Sequence, residues 1–179
     1  ELMDKARARK ILEQPLDRLW TVQGFGKIAT NITVNARLHV WDRMVVDPED
    51  PAVHSHAYPF RSLVLAGIVR NLRYTEWPSG PWNRVITDTE GPSLAVADLK
   101  EAVTEVYREG DQYSQEAHEI HWSIPDDGTV TLVEWDFLRA PMAMHVFWRG
   151  AVPWQDAKPR EATPEEVLAV TRRALAIWF

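Results

Sequence analysis

The chain of 179 residues contains no cysteine, and this absence removes three kinds of chemistry at once. Disulfide bonds, thiolate metal sites and cysteine nucleophiles all need a sulfur that the sequence does not supply. Any metal ion must therefore be bound by nitrogen and oxygen atoms. Histidine, with six copies, is the candidate nitrogen ligand.

Long apolar runs and an excess of positive charge are also missing. No stretch approaches the roughly 18 apolar residues that cross a membrane, and no signal peptide is recognisable. The chain has 20 Lys and Arg against 26 Asp and Glu, a net charge of −6, which argues against a general nucleic-acid surface. We therefore expect a cytoplasmic protein that binds a small molecule rather than a nucleic acid or a membrane.

Apolar and polar residues alternate over residues 28–46, which predicts β-structure. Leu38 and Val40 fall on the apolar side of this pattern, while Arg37 and His39 fall on the polar side. A polar side normally faces solvent, so we expect His39 to lie on the exterior of the protein.

The remaining pattern predicts about eight strands joined by short hairpins, with helices only at the two ends. Such an order is typical of an antiparallel sandwich or barrel, an all-β fold in one domain over residues 1–179. Residues 78–92 are rich in Pro, Gly, Ser and Asn and predict a loop or flap, and 94–102 predict a helical turn or an irregular edge. The predicted bounds are 1–15 for the N-terminal helix, 28–154 for the barrel and 163–178 for the C-terminal helix.

The C-terminal helix has clear start signals. Thr163 is a good N-cap, Pro164 suits the first helical position, and Glu166 completes a capping box.

The sequence His54-Ser55-His56 is the strongest chemical signal in the chain. In a strand, residues two apart point to the same face, so both imidazoles would aim at one point. Imidazole nitrogens bind metal ions at about 2.0–2.1 Å, which makes this pair a candidate metal site.

The wider stretch resembles the cupin family. His54-x-His56, three residues, Phe60, six residues and Gly67 have the spacing of the first cupin motif, G(x)5HxH(x)3–4E(x)6G, and the segment from Gly110 to His121 resembles a diverged second motif. More narrowly, "HSHAYPFRSLVLAG", "TVTLV" and "VFWRGAVPW" resemble a group of small single-domain cupins with an HxHPWxFxSxxLxG signature. The resemblance covers about residues 45–150 and implies a double-stranded β-helix, or jelly-roll barrel.

Two positions depart from the first motif. Phe60 stands where cupins carry a glutamate ligand, and Pro48 stands where they carry a glycine. The resemblance then implies a site of three histidines at most: His54, His56 and His121. This ligand set is similar to that of the thiol-dioxygenase branch of the cupins, which binds Fe(II).

His118 is the alternative to His121 as the third ligand. The two are three residues apart, so one strand would point them to opposite faces. His121 lies inside the apolar run 120–124, whereas His118 lies at its polar entrance, so we favour His121.

Other side chains near the motifs are candidates for binding or catalysis. Tyr113 and Glu119 are candidate catalytic groups, either of which could act as a base. The Tyr113 hydroxyl could also form a hydrogen bond to a bound oxygen species, and Glu119 or Glu116 could be a fourth ligand or a hydrogen-bond partner of a ligand. Arg61 could bind a substrate carboxylate through two hydrogen bonds, although a surface ion pair is an equally good interpretation. The candidate substrate-binding residues are Arg61, Tyr58, Phe60, Trp122, Trp135 and His145.

These features predict a mononuclear non-haem metal enzyme. The first hypothesis is an Fe(II)-dependent oxygenase or oxidase that uses dioxygen on a small carboxylate-bearing substrate. The second is a lyase, isomerase or hydrolase in which Zn²⁺, Ni²⁺ or Mn²⁺ acts as a Lewis acid. The third is a non-catalytic cupin that binds a small molecule. Analogy with cupins and the apolar C-terminal helix also predict a homodimer.

Overall fold

A computed structural model describes residues 3–23, 26–42, 53–88, 91–149 and 159–179. Two helices lie near the ends of the chain, α1 (Lys5–Glu13) and α2 (Pro164–Trp178), and a 3-10 turn follows α1 at Pro15–Asp17. The strands are β1 (Thr21–Gln23), β2 (Lys27–Asn31), β3 (Ala36–Trp41), β4 (Val53–His54), β5 (Phe60–Ala66), β6 (Ile68–Asp88), β7 (Gly91–Arg108), β8 (Gln112–Gln115), β9 (Ile120–Pro125), β10 (Val130–Trp135), β11 (Met144–Trp148) and β12 (Arg160–Glu161).

The strands form two antiparallel sheets, as in a β-sandwich. The larger sheet has seven strands in the order β12-β1-β2-β3-β10-β5-β8, and the smaller has five in the order β11-β4-β9-β6-β7. The second half of β6 also pairs with β11, from Asn83 to Thr87, so the smaller sheet curls back on itself. The predicted all-β class is thus confirmed at the level of an antiparallel sandwich with two helices.

The chain passes from one sheet to the other at Gly67. This residue separates β5 of the larger sheet from β6 of the smaller one and has a φ of +94°. A Cβ atom at this position would lie 2.4 Å from Oγ1 of Thr129. Only glycine satisfies both the left-handed backbone and the close approach, so the predicted turn at Gly67 is also where the strand changes sheets.

The main hydrophobic core lies between the outer face of the larger sheet and the two helices. Leu38 and Val40 of β3 are fully buried there, against Leu12 of α1 and Val170 of α2. A helix with one apolar stripe must bury it against another element, and the apolar face of this sheet provides that surface.

Both helices begin with a side-chain cap. The Asp4 carboxylate accepts a hydrogen bond from the backbone N–H of Arg7 at the start of α1. At the start of α2, Thr163 and Glu166 form a complete capping box with Pro164 in the first turn, which confirms the sequence prediction.

Some local predictions differ from the structure. Residues 78–88 and 91–92 of the predicted loop or flap belong to the long hairpin of β6 and β7, with a change of register between Trp77 and Trp82, so that prediction was wrong. Of the two alternatives for 94–102 the helical turn was wrong, because these residues are part of β7, a strand at the edge of the smaller sheet whose register is irregular at Ala102. The β-structure predicted over 28–46 is confirmed in the described residues as two paired strands, β2 and β3, and residues 43–52 and 150–158 lie outside the described part of the chain.

None of the helices in the described part of the chain combines the length and the hydropathy needed to cross a bilayer.

Candidate metal centre

Three histidine side chains meet between the two sheets. His54 ends β4 and His121 lies on β9, and these two residues are direct partners in the antiparallel pairing of their strands. His56 follows two residues after His54, beyond the end of the strand. One ring nitrogen from each histidine lies within 4.8 Å of the other two. The pair predicted from the His-x-His spacing and the third histidine of the second motif therefore form one group.

The geometry of the three rings suits a shared ion. The Nε2 atoms of His56 and His121 are 2.8 Å apart, and the ring centroids of the three histidines are 4.6–5.0 Å apart. Two nitrogens bound to one ion at about 2.0–2.1 Å lie roughly 3 Å from each other when their bonds meet near a right angle. Little movement would be needed to place both lone pairs on one ion.

Asn71 orients the ring of His121. Nδ1 of His121 is 2.7 Å from Oδ1 of Asn71, a side chain that is fully buried on β6. The amide oxygen only accepts hydrogen bonds, so Nδ1 carries the proton and donates it. Nε2 is then the unprotonated nitrogen and faces His56. The amide nitrogen of Asn71 donates in turn to the side-chain oxygen of Gln115.

Burial keeps the imidazoles of His56 and His121 neutral. It is the main cause that lowers the pKa of His56 and of His121 well below the ordinary value, and the neighbouring His54 lowers both further. A metal ion needs an unprotonated nitrogen, so the site presents its ligands in the form that binds.

A cavity of about 170 Å³ opens beside the three rings. Aromatic residues of the larger sheet form much of its wall: the ring centroids of Phe60 and Trp135 lie 4.8 Å and 5.2 Å from that of His56. Among the described residues that line it, none carries a carboxylate. Phe60, which stands where the resembled motif has a glutamate ligand, contributes packing to the site rather than a ligand.

The predicted pocket residues divide into two groups. Phe60, Tyr113, Trp122 and Trp135 line the cavity. Burial raises the pKa of the Tyr113 hydroxyl, so at neutral pH it stays protonated and can donate a hydrogen bond but cannot serve as a ready base.

The second group lies away from the cavity. Arg61 is exposed on the outer face of β5 and pairs with Glu134, and the Glu119 carboxylate pairs with Arg73 at 2.7 Å. Each side chain thus has a structural partner, and neither is placed to bind substrate or move a proton at the site.

Three further candidates are also outside the lining of the cavity. Tyr58 packs against Phe137, and His145 is half-buried with its Nδ1 4.0 Å from a carboxylate oxygen of Glu76. His118 is exposed in the turn before β9, so the choice of His121 over His118 agrees with the structure.

Sequence reasoning missed three basic side chains of the cavity: Lys27 on β2, and Arg37 and His39 on β3. The prediction that His39 lies on the exterior was wrong, since only 5% of it is exposed. The apolar side of β3 is covered by the helices, so its polar side faces the smaller sheet instead of solvent. The alternation Arg37-x-His39-x-Trp41 was the available signal, but the polar side of a strand normally faces solvent.

The basic residues affect one another. Burial, and then the nearby Arg37, lower the pKa of Lys27 to about 7. The same burial, with Lys27 and Arg37, lowers the pKa of His39 well below its ordinary value. The Lys27 ammonium group lies 4.5 Å from the ring centroid of Trp41, its partner across the β2–β3 pairing.

No protein-family model matches the chain, and no curated protein matches it. Among solved structures, it is similar to the crystal structure of cobalt(II) HppE in complex with substrate, at 18% identity and a TM-score of 0.30, over 62% of this chain and 51% of that one. It is also similar to the crystal structure of Drosophila melanogaster CENP-C bound to CAL1, at 13% identity and a TM-score of 0.28, over 82% of this chain and 98% of that one. The chain thus spans about half the length of the HppE chain. At these TM-scores neither similarity identifies the chemistry of this chain.

Proposed function

We propose that the chain is a mononuclear non-haem metal enzyme of the cupin type, and that it is an Fe(II)-dependent oxygenase acting on a small acidic substrate. The proposal rests on the group of three imidazoles, whose ring nitrogens lie within 4.8 Å of one another beside a mostly aromatic cavity. His54, His56 and His121 would hold the ion.

The ligand set favours a site that remains open. Three nitrogen ligands leave two or three positions on an iron ion for substrate and dioxygen. Bound iron would supply the reaction with dioxygen, and a dioxygenase reaction places both oxygen atoms in the substrate, so no external reductant is required. Neutral histidines leave the +2 charge of the ion uncompensated, which favours an acidic substrate.

The protein residues would bind and orient the substrate. Phe60 and Trp135 give the cavity apolar walls that exclude water from one side of the site. The Tyr113 hydroxyl, which also lines the cavity, can donate a hydrogen bond to an oxygen of the bound substrate.

The same ligands support a second candidate function, a Lewis-acid reaction without redox chemistry. Three histidines and an open position are also the set that binds catalytic zinc in carbonic anhydrase. The two functions differ in the metal required, and the sequence hypothesis of a non-catalytic binding protein requires no metal.

The test begins with the metal content of the purified protein and of four alanine variants. Replacement of His54, His56 or His121 should remove the metal, whereas His118→Ala, an exposed histidine outside the group, should retain it. A wild-type chain that binds no metal after reconstitution with Fe(II), Zn²⁺, Ni²⁺ or Mn²⁺ contradicts the proposal and supports a non-catalytic binding role.

Oxygen consumption then separates the two enzyme hypotheses. The iron-loaded protein should consume dioxygen with at least one member of a panel of small carboxylic and thiol-bearing acids, and His54→Ala should not. Equal turnover by the zinc-loaded protein would instead favour the Lewis-acid function, because zinc has no redox chemistry.

The homodimer remains a prediction. Light scattering on the purified chain would give twice 20.6 kDa if it is correct and 20.6 kDa if it is not.

A further inference from the structure

Three basic side chains form a cluster on the wall of the cavity that belongs to the larger sheet. Lys27 projects from β2, and Arg37 and His39 project from the same face of β3. The three metal-ligand candidates approach from the other side, and two of them, His54 and His121, belong to strands of the smaller sheet. The cavity therefore has a basic wall facing a metal-binding wall.

The positive charges of the basic cluster repel one another. The neighbouring Arg37 disfavours the charge on Lys27, and both cations disfavour a charge on His39. The partner shown for the guanidinium of Arg37 is the neutral amide oxygen of Asn31, at 3.1 Å. Clustered positive charge in a largely apolar cavity costs free energy, and a bound anion would offset that cost.

His39 adds an unused polar atom to the cluster. Its Nδ1 is buried and has no hydrogen-bond partner among the described residues. Buried polar atoms are nearly always paired, so an unpaired one in a residue that lines the cavity leaves room for a partner that arrives with a ligand. An oxygen acceptor would satisfy it when Nδ1 carries the proton.

We propose that Lys27, Arg37 and His39 form an oxyanion-binding subsite that holds one acidic group of the substrate while another group of the same molecule reaches the three histidines. This inference rests on the proposed metal-dependent function and limits the class of substrate that the enzyme would accept. The substrate class is a small molecule with a polar group at each end, one of them a carboxylate.

The dimensions of the cavity limit the size of this molecule. A cavity of about 150 Å³ in another protein holds benzene, and the cavity here is about 170 Å³. A short diacid fits this space, whereas a nucleotide or a peptide does not.

Calorimetric titration of the full chain loaded with Co²⁺ tests the subsite. The probes are succinate and butyrate, which share a four-carbon skeleton and differ by one carboxylate. Wild-type protein should bind succinate at least about tenfold more tightly, because charge-assisted hydrogen bonds form at the second end. The preference should fall to about twofold or less in Lys27→Met and in Arg37→Met, and Lys27→Arg should keep most of it.

Arg139→Met provides the matched control. Arg139 is an exposed arginine that pairs with Glu116, so its replacement changes the net charge by the same amount without altering the cavity. Its succinate preference should equal that of the wild type.

A preference that survives in both Lys27→Met and Arg37→Met, with thermal melts that show folded variants, overturns the subsite. A wild-type protein that binds both probes equally overturns it as well.

The absorption bands of Co²⁺ separate this result from the proposed function. Bands that vanish in His54→Ala but persist in Lys27→Met show that the two walls are independent. If the wild type shows no cobalt bands but keeps a Lys27-dependent preference for succinate, the metal chemistry fails and the oxyanion subsite stands. If cobalt binds but succinate binds no more tightly than butyrate, the oxyanion subsite is contradicted and the proposed metal site is not.

Discussion

Asn71 determines which nitrogen of His121 is available to a metal ion. Because Asn71 accepts the Nδ1 proton at 2.7 Å, the imidazole is held in one tautomer and one orientation. Replacement by leucine, which has a similar volume, removes the acceptor. We expect Asn71→Leu to weaken metal binding by about 10–100-fold, measured by competition with a chromophoric chelator.

Asn71→Asp is the matched control, because a carboxylate also accepts the Nδ1 proton. This variant should retain metal affinity within a few-fold of the wild type. Wild-type affinity in the leucine variant would show that packing alone orients His121. A loss in both variants would show that the position is sensitive to any change, and the role assigned to the hydrogen bond would then be incorrect.

At the level of single residues, the sequence supported the metal ligands better than the rest of the pocket. The His54-x-His56 spacing is a local signal, and His121 was predicted from the resemblance of its segment to a second cupin motif and from the apolar run around it. The basic residues Lys27 and Arg37 have no local signal, because charged residues on a strand normally face solvent. Their position in the wall of the cavity follows only from the covering of the opposite face of β3 by helices from the two ends of the chain.

The strand β3 shows how one element serves both stability and binding. Leu38 is fully buried in the core under the helices, and the adjacent Arg37 faces the cavity. Leu38→Ala should lower the free energy of unfolding by about 2–5 kcal/mol and leave the preference for succinate over butyrate unchanged. Chemical denaturation and calorimetry measure the two effects. If the alanine variant lost its succinate preference while folded, the two faces would not be separable.

The start of α2 should give the protein a measurable dependence on acid. Glu166 accepts hydrogen bonds from Arg160 and from the backbone N–H of Thr163, which lower its pKa from 4.5 to about 2. A carboxylate with a depressed pKa stabilises the fold above its unfolded pKa, and this contribution is lost as the pH falls from 4.5 toward 2. Glu166→Ala should therefore cost about 1 kcal/mol at pH 7.

Urea denaturation at pH 7, 5 and 3.5 measures this effect. The difference between wild type and Glu166→Ala should be constant from pH 7 to 5 and smaller at pH 3.5. Glu165→Ala, in the same turn but outside the capping box, is the control and should cost less at pH 7. A difference that does not change with pH would mean that the carboxylate charge of Glu166 has no role in the cap.

The long hairpin shows why composition misleads at the level of elements. The segment Pro78-Ser79-Gly80-Pro81 has the residues of a loop, and the sequence alone gives no reason to place it in a strand. In the structure it lies where the register of β6 against β7 shifts, between Trp77 and Trp82. Proline and glycine are tolerated in strands at such irregular positions, which depend on a partner strand distant in sequence.

For the whole molecule, the metal ion should act as a stabilising ligand. The third histidine, His121, is 65 positions from His56, so the unfolded chain has no comparable three-histidine site. A metal present at 100 times its Kd should add about 2.7 kcal/mol to the free energy of unfolding. In the wild type and in His118→Ala, the melting temperature should rise when metal is added and fall back when a chelator removes it.

His54→Ala and His121→Ala should show no such shift. A metal-dependent shift of wild-type size in either variant would place the stabilising ion elsewhere on the protein. Because the readout is stability, it does not depend on knowing the substrate.

The overall arrangement of the chain was predictable only in outline. Alternating patterns and the turn at Pro125–Gly128 indicated antiparallel strands, and the capping box located α2. The order of strands within the two sheets was not predictable, because it depends on pairings such as β10 with β3, whose residues are at least 90 positions apart. The strand order determines which face of each strand lines the cavity.

The contact between Trp135 and His56 gives the site an optical signal of its own. The indole centroid lies 5.2 Å from the imidazole centroid, within the range of efficient energy transfer to an ion held by that ring. Open-shell ions such as Co²⁺ and Fe²⁺ accept excitation energy through their d-electron transitions, whereas Zn²⁺, with a filled d shell, has none. Part of the tryptophan fluorescence should therefore be quenched by cobalt or iron but not by zinc, and Trp135→Phe should remove that part of the response. Ion occupancy could then be followed in unlabelled protein during a rapid-mixing experiment.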